Sequence, residues 1–381
     1  MSADRAGDGP DADTAALLTL LSLEEIGPNR LRALLDDRTP STALAALLAV
    51  DASRLRRLLG CVGVRREHLP VWAARLRRVD GAAEVERHRR AGIVLETPAE
   101  LRRVPLWRDD PEPPELLFRR GAPVDYGRAR VAVVGTRRCS AYGRTMAKRL
   151  GAGLAREDVT VVSGLANGID GDAQRAALDA GGNVVGVVAT GLDVVYPPPN
   201  ERLWHDIGAD GTLLSEYPLG TPPAKWRFPA RNRLIAALAD VVVVVESGAT
   251  GGSFYTVDAA AERDRPVMAV PGPVTVRTSD GTNRLIAEGC AVARDVDDVL
   301  VALGMTPAAG RTSESSAGAA PPPHLDPADA AILDQLVAGA ATIDELAAAG
   351  ELALGAAALA LDRLSRRGWV AESGGWWERT R

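Results

Sequence analysis

The sequence predicts an α/β fold built on a doubly wound parallel sheet. Three observations carry that expectation. Six short apolar runs, most of them rich in valine, lie between residues 131 and 272. Helical periodicity fills the gaps between them, and small-residue or glycine-bearing turns follow the runs. Continuously apolar runs mark strands buried on both faces, which belong to a parallel sheet covered by helices. Alternation of strand and helix at this spacing is the Rossmann-like arrangement.

Taken in order, residues 1–12 are acidic and polar and are expected to be disordered. Nothing there resembles a basic start followed by an apolar segment, so no signal peptide is expected. Residues 13–80 show leucine and alanine at helical spacing, broken at Gly27-Pro28, Pro40 and Gly60, and read as a helical domain. Within it GPNRLRALL (27–35) resembles a helix-hairpin-helix turn, whose helix N-terminus suits a phosphate. A small bundle that only packs is the other reading. An extended core is expected over 81–305. It opens with a helix and the proline-rich lead-in DDPEPPELLFRRG (109–121).

The core strands are VAVVG (131–135), VTVVSG (159–164), VVGVVATG (184–191), GTLLSEYP (211–218), VVVVVES (241–247) and PVMAVPG (266–272). Helices are expected from about Tyr142 to Glu157 and over Asp170–Ala180. Residues 306–323 are rich in alanine, serine and proline and read as a linker. Residues 324–381 show two helical segments and a third helix around Ala356–Arg367. They end in WVAESGGWWER, a hairpin pattern turning at a Gly-Gly pair. Three helices and a hairpin spell a winged helix.

Charge narrows the function. The 45 basic residues fall short of the 50 acidic ones, for a net charge of −5, but the charges are partitioned. Residues 14–90 hold fourteen arginines against nine acids, whereas 324–381 hold nine acids against five arginines. Between Glu216 and Asp240 every charge is positive: Lys225, Arg227, Arg231 and Arg233. Binding depends on where charge sits rather than on its sum. Cys61, Cys139 and Cys290 are far apart and four histidines are few, so neither disulfides nor a metal site is expected. Apolar runs stop well short of a membrane span. A cytoplasmic location is expected.

Ligands of open parallel sheets sit outside the carboxyl ends of the strands, where four pieces of sequence fall. Gly135-Thr136-Arg137 follows the first strand and leads through Ser140 and Gly143 into a helix. Glycine admits an anion to the backbone, and the arginine stands where a dinucleotide fold keeps a second glycine, so a phosphodiester suits it better. Ser163-Gly164-Leu165-Ala166-Asn167-Gly168-Ile169-Asp170 is a second small-residue turn, with Ser163 and Asn167 as neutral donors and Asp170 as the expected helix N-cap. Lys225-Trp226-Arg227-Phe228-Pro229-Ala230-Arg231-Asn232-Arg233 alternates cations with rings, ahead of the helix RLIAALAD. Cations track a backbone while rings stack on unpaired bases. Trp226 is read either as a stacking ring or as core. Finally Ser247-Gly248-Ala249-Thr250-Gly251-Gly252-Ser253 reads as a phosphate-accepting nest, with Gly251 and Ser253 as contacts.

In the order VVGTR…S.YG, VVSGLANGID, GLD.VYP, LLSEYPLG, FPARNRLIA and VPGPV…S.GTNRLI, residues 125–300 resemble the DNA-processing protein A (DprA/Smf) family. The resemblance implies sequence-independent binding of single-stranded DNA, homodimerisation, and loading of the RecA recombinase in natural transformation and homologous recombination. It implies no catalysis and no cofactor. The family's DNA pocket carries over onto Gly135, Arg137, Ser163, Gly164, Lys225, Phe228, Arg231, Asn232 and Arg233, with Arg137, Lys225 and Arg231 on phosphates and Phe228 on a base. Thr136 departs from the usual serine, Asn167 from a basic residue in many members, and Gln174 from a histidine. The loop GATGGSFYT departs from SGSLIT.

Other readings of the same residues are open. A nucleoside-monophosphate hydrolase of the cytokinin-riboside type uses a glycine loop followed by a glutamate. Gly251-Gly252-Ser253 with Glu262 is a faint match, and no paired carboxylates recur at the strand ends. A transcription factor acting through the winged helix would need charge there, and its third helix offers only Arg363, Arg366 and Arg367.

Overall fold

The computed structural model describes residues 11–23, 25–35, 37–51, 53–54, 57, 60, 66–306, 325–336, 340–373 and 375–379. Most of the terminus expected to be disordered (1–10) and of the expected linker (307–323) lies outside them. Asp11 caps the first helix, which opens at Ala12. The chain divides into two compact units, Met1–Cys139 with Met146–Met305, and Ser140–Thr145 with Thr306–Arg381.

The first unit begins with helices α1 (Ala12–Leu21), α2 (Pro28–Leu35), α3 (Pro40–Ala49), α4 (Leu69–Arg78) and α5 (Gly81–Arg90). Proline sits in the first turn of α3 behind the Thr39 cap, where its missing N–H costs nothing. Helix α5 packs on α1 so closely that a Cβ on Gly81 would fall 2.0 Å from the Ala15 carbonyl oxygen. The helix expected to open the core therefore lies against the N-terminal helices.

The sheet contains β1 (Val94–Glu96), β2 (Leu117–Gly121), β3 (Arg130–Val134), β4 (Thr160–Ser163), β5 (Val184–Val187), β6 (Thr212–Ser215), β7 (Val241–Val244), β8 (Val267–Ala269) and β9 (Ala291–Val292). Their order is β1-β2-β6-β5-β4-β3-β7-β8-β9. The strands from β6 to β9 run parallel, as expected. The sheet is nonetheless mixed, because β1 and β2 add an antiparallel edge. That edge falls in the stretch read as a helix and a lead-in. Its strand LFRRG is half-exposed towards its end, so it lacks the continuous apolar signal of the central strands.

Helices α6 (Ala141–Arg156), α7 (Ile169–Asp179) and α8 (Glu201–Asp210) alternate with β3–β6. Helices α9 (Arg227–Leu238), α10 (Phe254–Ala261) and α11 (Asp280–Ala287) follow β6, β7 and β8. Strand residues alternate between two cores. Val131, Val133, Val161 and Val243 join Leu150, Ile169 and Ile207. Ala132, Val134, Val162 and Val244 join Leu234, Ile235 and Ala260. Strand period two thus divides one valine run between two covered faces. The order reverses at β3, whose neighbours are β4 and β7, and this leaves a crevice at their carboxyl ends. Helix α12 (Val296–Ala302) closes the unit.

The C-terminal residues form α13 (Pro327–Gln335), α14 (Ile343–Ala349), α15 (Leu354–Arg366) and a three-stranded antiparallel sheet of β10 (Ala341–Thr342), β11 (Val370–Ser373) and β12 (Trp376–Arg379). The expected hairpin is β11–β12, turning at Gly375 with φ 87°. A separate core gathers Ile332, Leu346, Leu361 and Leu364, and buried Asp329 pairs with Arg363 at 2.6 Å. Among the described residues no helix is long and apolar enough to cross a membrane.

Candidate nucleic-acid interface

A groove of about 660 Å³ opens at the carboxyl ends of β3 and β7. Gly135 stands there because nothing larger fits: a Cβ would lie 2.6 Å from Ile169 Cγ1 and 2.7 Å from the Glu246 carbonyl oxygen. Two residues on, Arg137 is exposed, with its guanidinium 5.0 Å from the centroid of the Phe228 ring. Tyr196 meets the other end of that contact, its ring 5.5 Å from Phe228 and inclined by 41°. Lys225, also exposed, lines the same groove and has no ion pair or hydrogen bond among the described residues. Asn167 is half-buried in a small recess shared with Arg137, Gly164, Tyr196 and Phe228. Sequence reasoning thus brought Gly135, Arg137, Asn167, Lys225 and Phe228 to one place.

The other predicted residues except Arg233 line or support this groove, but their polar groups are engaged within the protein. Ser163 is fully buried and donates to the Val133 carbonyl oxygen at 2.6 Å. Arg231 is 4% exposed. It donates to the Gly164 carbonyl oxygen at 2.8 Å and to that of Val187, while Asp170 lies among the charges acting on it. Burial pushes the guanidinium down to about 10, against the pull of Asp170. Burial likewise pushes Asp170 up, opposed by Arg231 and by the N–H groups of Gly164, Ala166 and Gly135. Both partners move towards neutrality, so desolvation outweighs their attraction. Those three N–H groups belong to the two loops that were expected to accept an anion. A carboxylate of the chain already sits with them, 3.2 Å from Gly164 N.

Asp170 is therefore not the helix N-cap. Gly168, at φ 79°, takes that position, and Asp170 stands inside the first turn of α7. Gly164 fits because a Cβ would lie 2.5 Å from the Arg231 guanidinium. Arg233, also buried, turns to the opposite side of α9, where it pairs with Glu216 and donates to the Glu112 carbonyl oxygen at 2.7 Å. Asn232 accepts from Arg231 Nε at 3.2 Å and donates to Gly252 O at 3.3 Å. Gly251 and Ser253 border the groove, but Ser253 is buried with its hydroxyl on Ser247 Oγ at 2.8 Å.

One further expectation changes, and one open alternative closes. From Arg227 to Arg233 the basic run does not precede its helix but forms the first turns of α9, and only Lys225 and Trp226 stand ahead of it. Trp226 is not core: it is 37% exposed, with Arg227 5.0 Å over its ring. Sequence reasoning missed Tyr196, Arg138 and Tyr255, all of which line the groove. Tyr196 had a signal, since it is the tyrosine of the quoted motif GLD.VYP, but a lone tyrosine beside proline carries no charge pattern to mark it. Among the described residues no group of three potential metal ligands stands together.

Fold and groove define a doubly wound α/β protein whose strand ends carry cations and rings in place of a nucleotide's glycine cradle. The sequence model of the DNA recombination-mediator protein A family matches residues 96–304, and the chain belongs to that family. It is 46% identical over 218 residues to a putative DNA processing protein DprA of Mycobacterium tuberculosis, covering 57% of this chain and 55% of that one. With the DNA processing protein DprA of Streptococcus pneumoniae it shares 45% over 187 residues, 49% of this chain and 66% of that one. The chain thus spans about half the length of the first of these relatives. The X-ray structure of the S. pneumoniae protein superposes with a TM-score of 0.62 at 32% identity, covering 77% of this chain and 98% of that one.

Proposed function

We propose that this chain binds single-stranded DNA without sequence preference and loads RecA recombinase onto it in recombination and natural transformation. It would do so as a cytoplasmic homodimer and without catalysis. One observation carries the reading: exposed Arg137 and Lys225 flank the Phe228 and Tyr196 rings in a single groove. Cations at the rim follow the phosphates, and the rings receive unpaired bases. The family membership supports the recombination context. In this reading Arg231, Asn232, Gly164 and Ser163 shape the groove floor, while Gly251 and Ser253 form its far wall.

The flanking parts are read as accessory. Residues 13–80 are proposed as a helical domain of the SAM or helix-hairpin-helix kind, joined to an extended core over 81–305. Residues 324–381 are proposed as a winged helix, on the support of three helices beside an antiparallel hairpin. The exposed residues of α15 are Leu354, Gly355, Ala358, Leu359, Asp362, Ser365 and Arg366. A face whose one exposed cation, Arg366, is paired with Asp362 at 3.1 Å suits a protein contact better than duplex DNA.

The test is titration of single- and double-stranded oligonucleotides of one sequence at two salt concentrations. The parent should prefer the single strand. Arg137→Ala and Lys225→Ala should each lower the salt slope by roughly one. Phe228→Ala should lose about 1–3 kcal/mol with the slope unchanged. Parent-like binding by all three variants would remove the groove from the mechanism.

A further inference from the structure

Helix α9 lines two grooves, one on each side. Phe228, Arg231, Asn232 and Ile235 follow helical spacing and face the groove described above. Trp226, Ala230 and Arg233 follow the same spacing on another face and line a second groove of about 420 Å³. Its opposite wall is Gly27-Pro28-Asn29-Arg30, at the start of α2. A Cβ on Gly27 would come within 3.1 Å of Trp226 Cζ3, so glycine is what lets this wall approach the indole. Lys225, at the rim of the first groove, immediately precedes Trp226.

We propose that the second groove takes the continuation of the same single strand, with Trp226 as an additional base platform reached across Lys225. The proposal rests on the reading of the first groove as a single-strand site, and it commits to unpaired bases as the occupant. Charge supports that choice. Arg30 and Arg233 on the walls are balanced by Glu25 and Glu112. Arg233 is already paired with Glu216, and Glu112 with Arg32 at 2.9 Å. A balanced groove offers little to phosphates, whereas Trp226 offers a partly exposed indole backed by the Arg227 guanidinium, which also lies 5.1 Å over Tyr217. Bases enter here and phosphates stay at the Lys225 ridge. The second groove therefore adds affinity with almost no salt dependence.

The experiment measures the affinity of the full chain for thymidine oligonucleotides of about 6 and about 15 nucleotides, lengths within the range of single-strand sites. Trp226→Ala is expected to weaken the longer oligonucleotide about tenfold and to leave the shorter one and the salt slope unchanged. Ala230→Gln, which narrows the second groove without adding charge, is expected to do the same, and intact short-oligonucleotide binding shows that each variant is folded. Equal losses on both lengths, or no loss on either, would overturn the proposal. If Phe228→Ala also leaves the short oligonucleotide unaffected, the parent reading falls first.

Discussion

The floor and the rim of the groove use the same residue type for opposite purposes. Arg231 on the floor is buried against backbone carbonyl groups, with Asp170 as its countercharge, and Arg137 on the rim is exposed over an aromatic ring. A buried guanidinium must have its donors satisfied and its charge opposed, or it costs several kcal/mol. Satisfying it removes it from service to a ligand. An exposed arginine retains its donors. Burial, rather than residue type, therefore separates the cations that build this site from those that can serve it.

The sharpest way to break that comparison is to remove the floor's charge. Asp170→Ala leaves Arg231 uncompensated and should lose about 3–5 kcal/mol of stability in denaturant unfolding. Asp170→Ala combined with Arg231→Ala should lose clearly less than the two single losses added together. If Arg231→Ala instead keeps full stability and loses DNA binding, Arg231 belongs to the rim. Next in size is Ser163→Ala. Its hydroxyl is sealed on the Val133 carbonyl oxygen, so about 1 kcal/mol of stability should go while oligonucleotide affinity stays unchanged. A loss of affinity in that variant would return Ser163 to the ligand contacts.

The same physics marks how far the sequence could be read. Continuous apolar runs, most of them rich in valine, identified the six central strands, because burial on both faces leaves no polar alternation. The outer strands β1, β2 and β9 are partly or wholly exposed, and they carry no such signal. At the site, the sequence identified the loops and most of the side chains, since glycine, cation and ring positions follow from strand ends. It did not separate Arg137 from Arg231, because that depends on which carboxylate folds beneath which helix. Asp170 looked like a cap for the same reason: its three N–H neighbours, on Gly135, Gly164 and Ala166, come from two loops about thirty residues apart.

The smallest expected effect concerns acid. His88 on α5 is fully buried, with Nδ1 against the Glu84 carbonyl oxygen at 2.7 Å and Nε2 accepting from Leu219 N at 3.0 Å. This pairing requires a neutral imidazole, and burial holds its pKa below the ordinary value of 6.5. The unfolded chain then binds a proton before the folded one does. The stability that His88 contributes is complete above pH 6.5 and is lost as pH falls through the lower folded value. Between neutrality and about pH 5 the parent should therefore lose melting temperature relative to His88→Gln, while the affinity of folded protein for single strands holds steady. Buried Asp170 and Glu216, whose pKa values burial raises, change stability with pH in the opposite sense. They are common to both chains, so the difference between parent and variant isolates His88. Parallel melting curves across that window would show that the imidazole carries no such linkage, and an affinity that followed the melting temperature would tie floor and rim together after all.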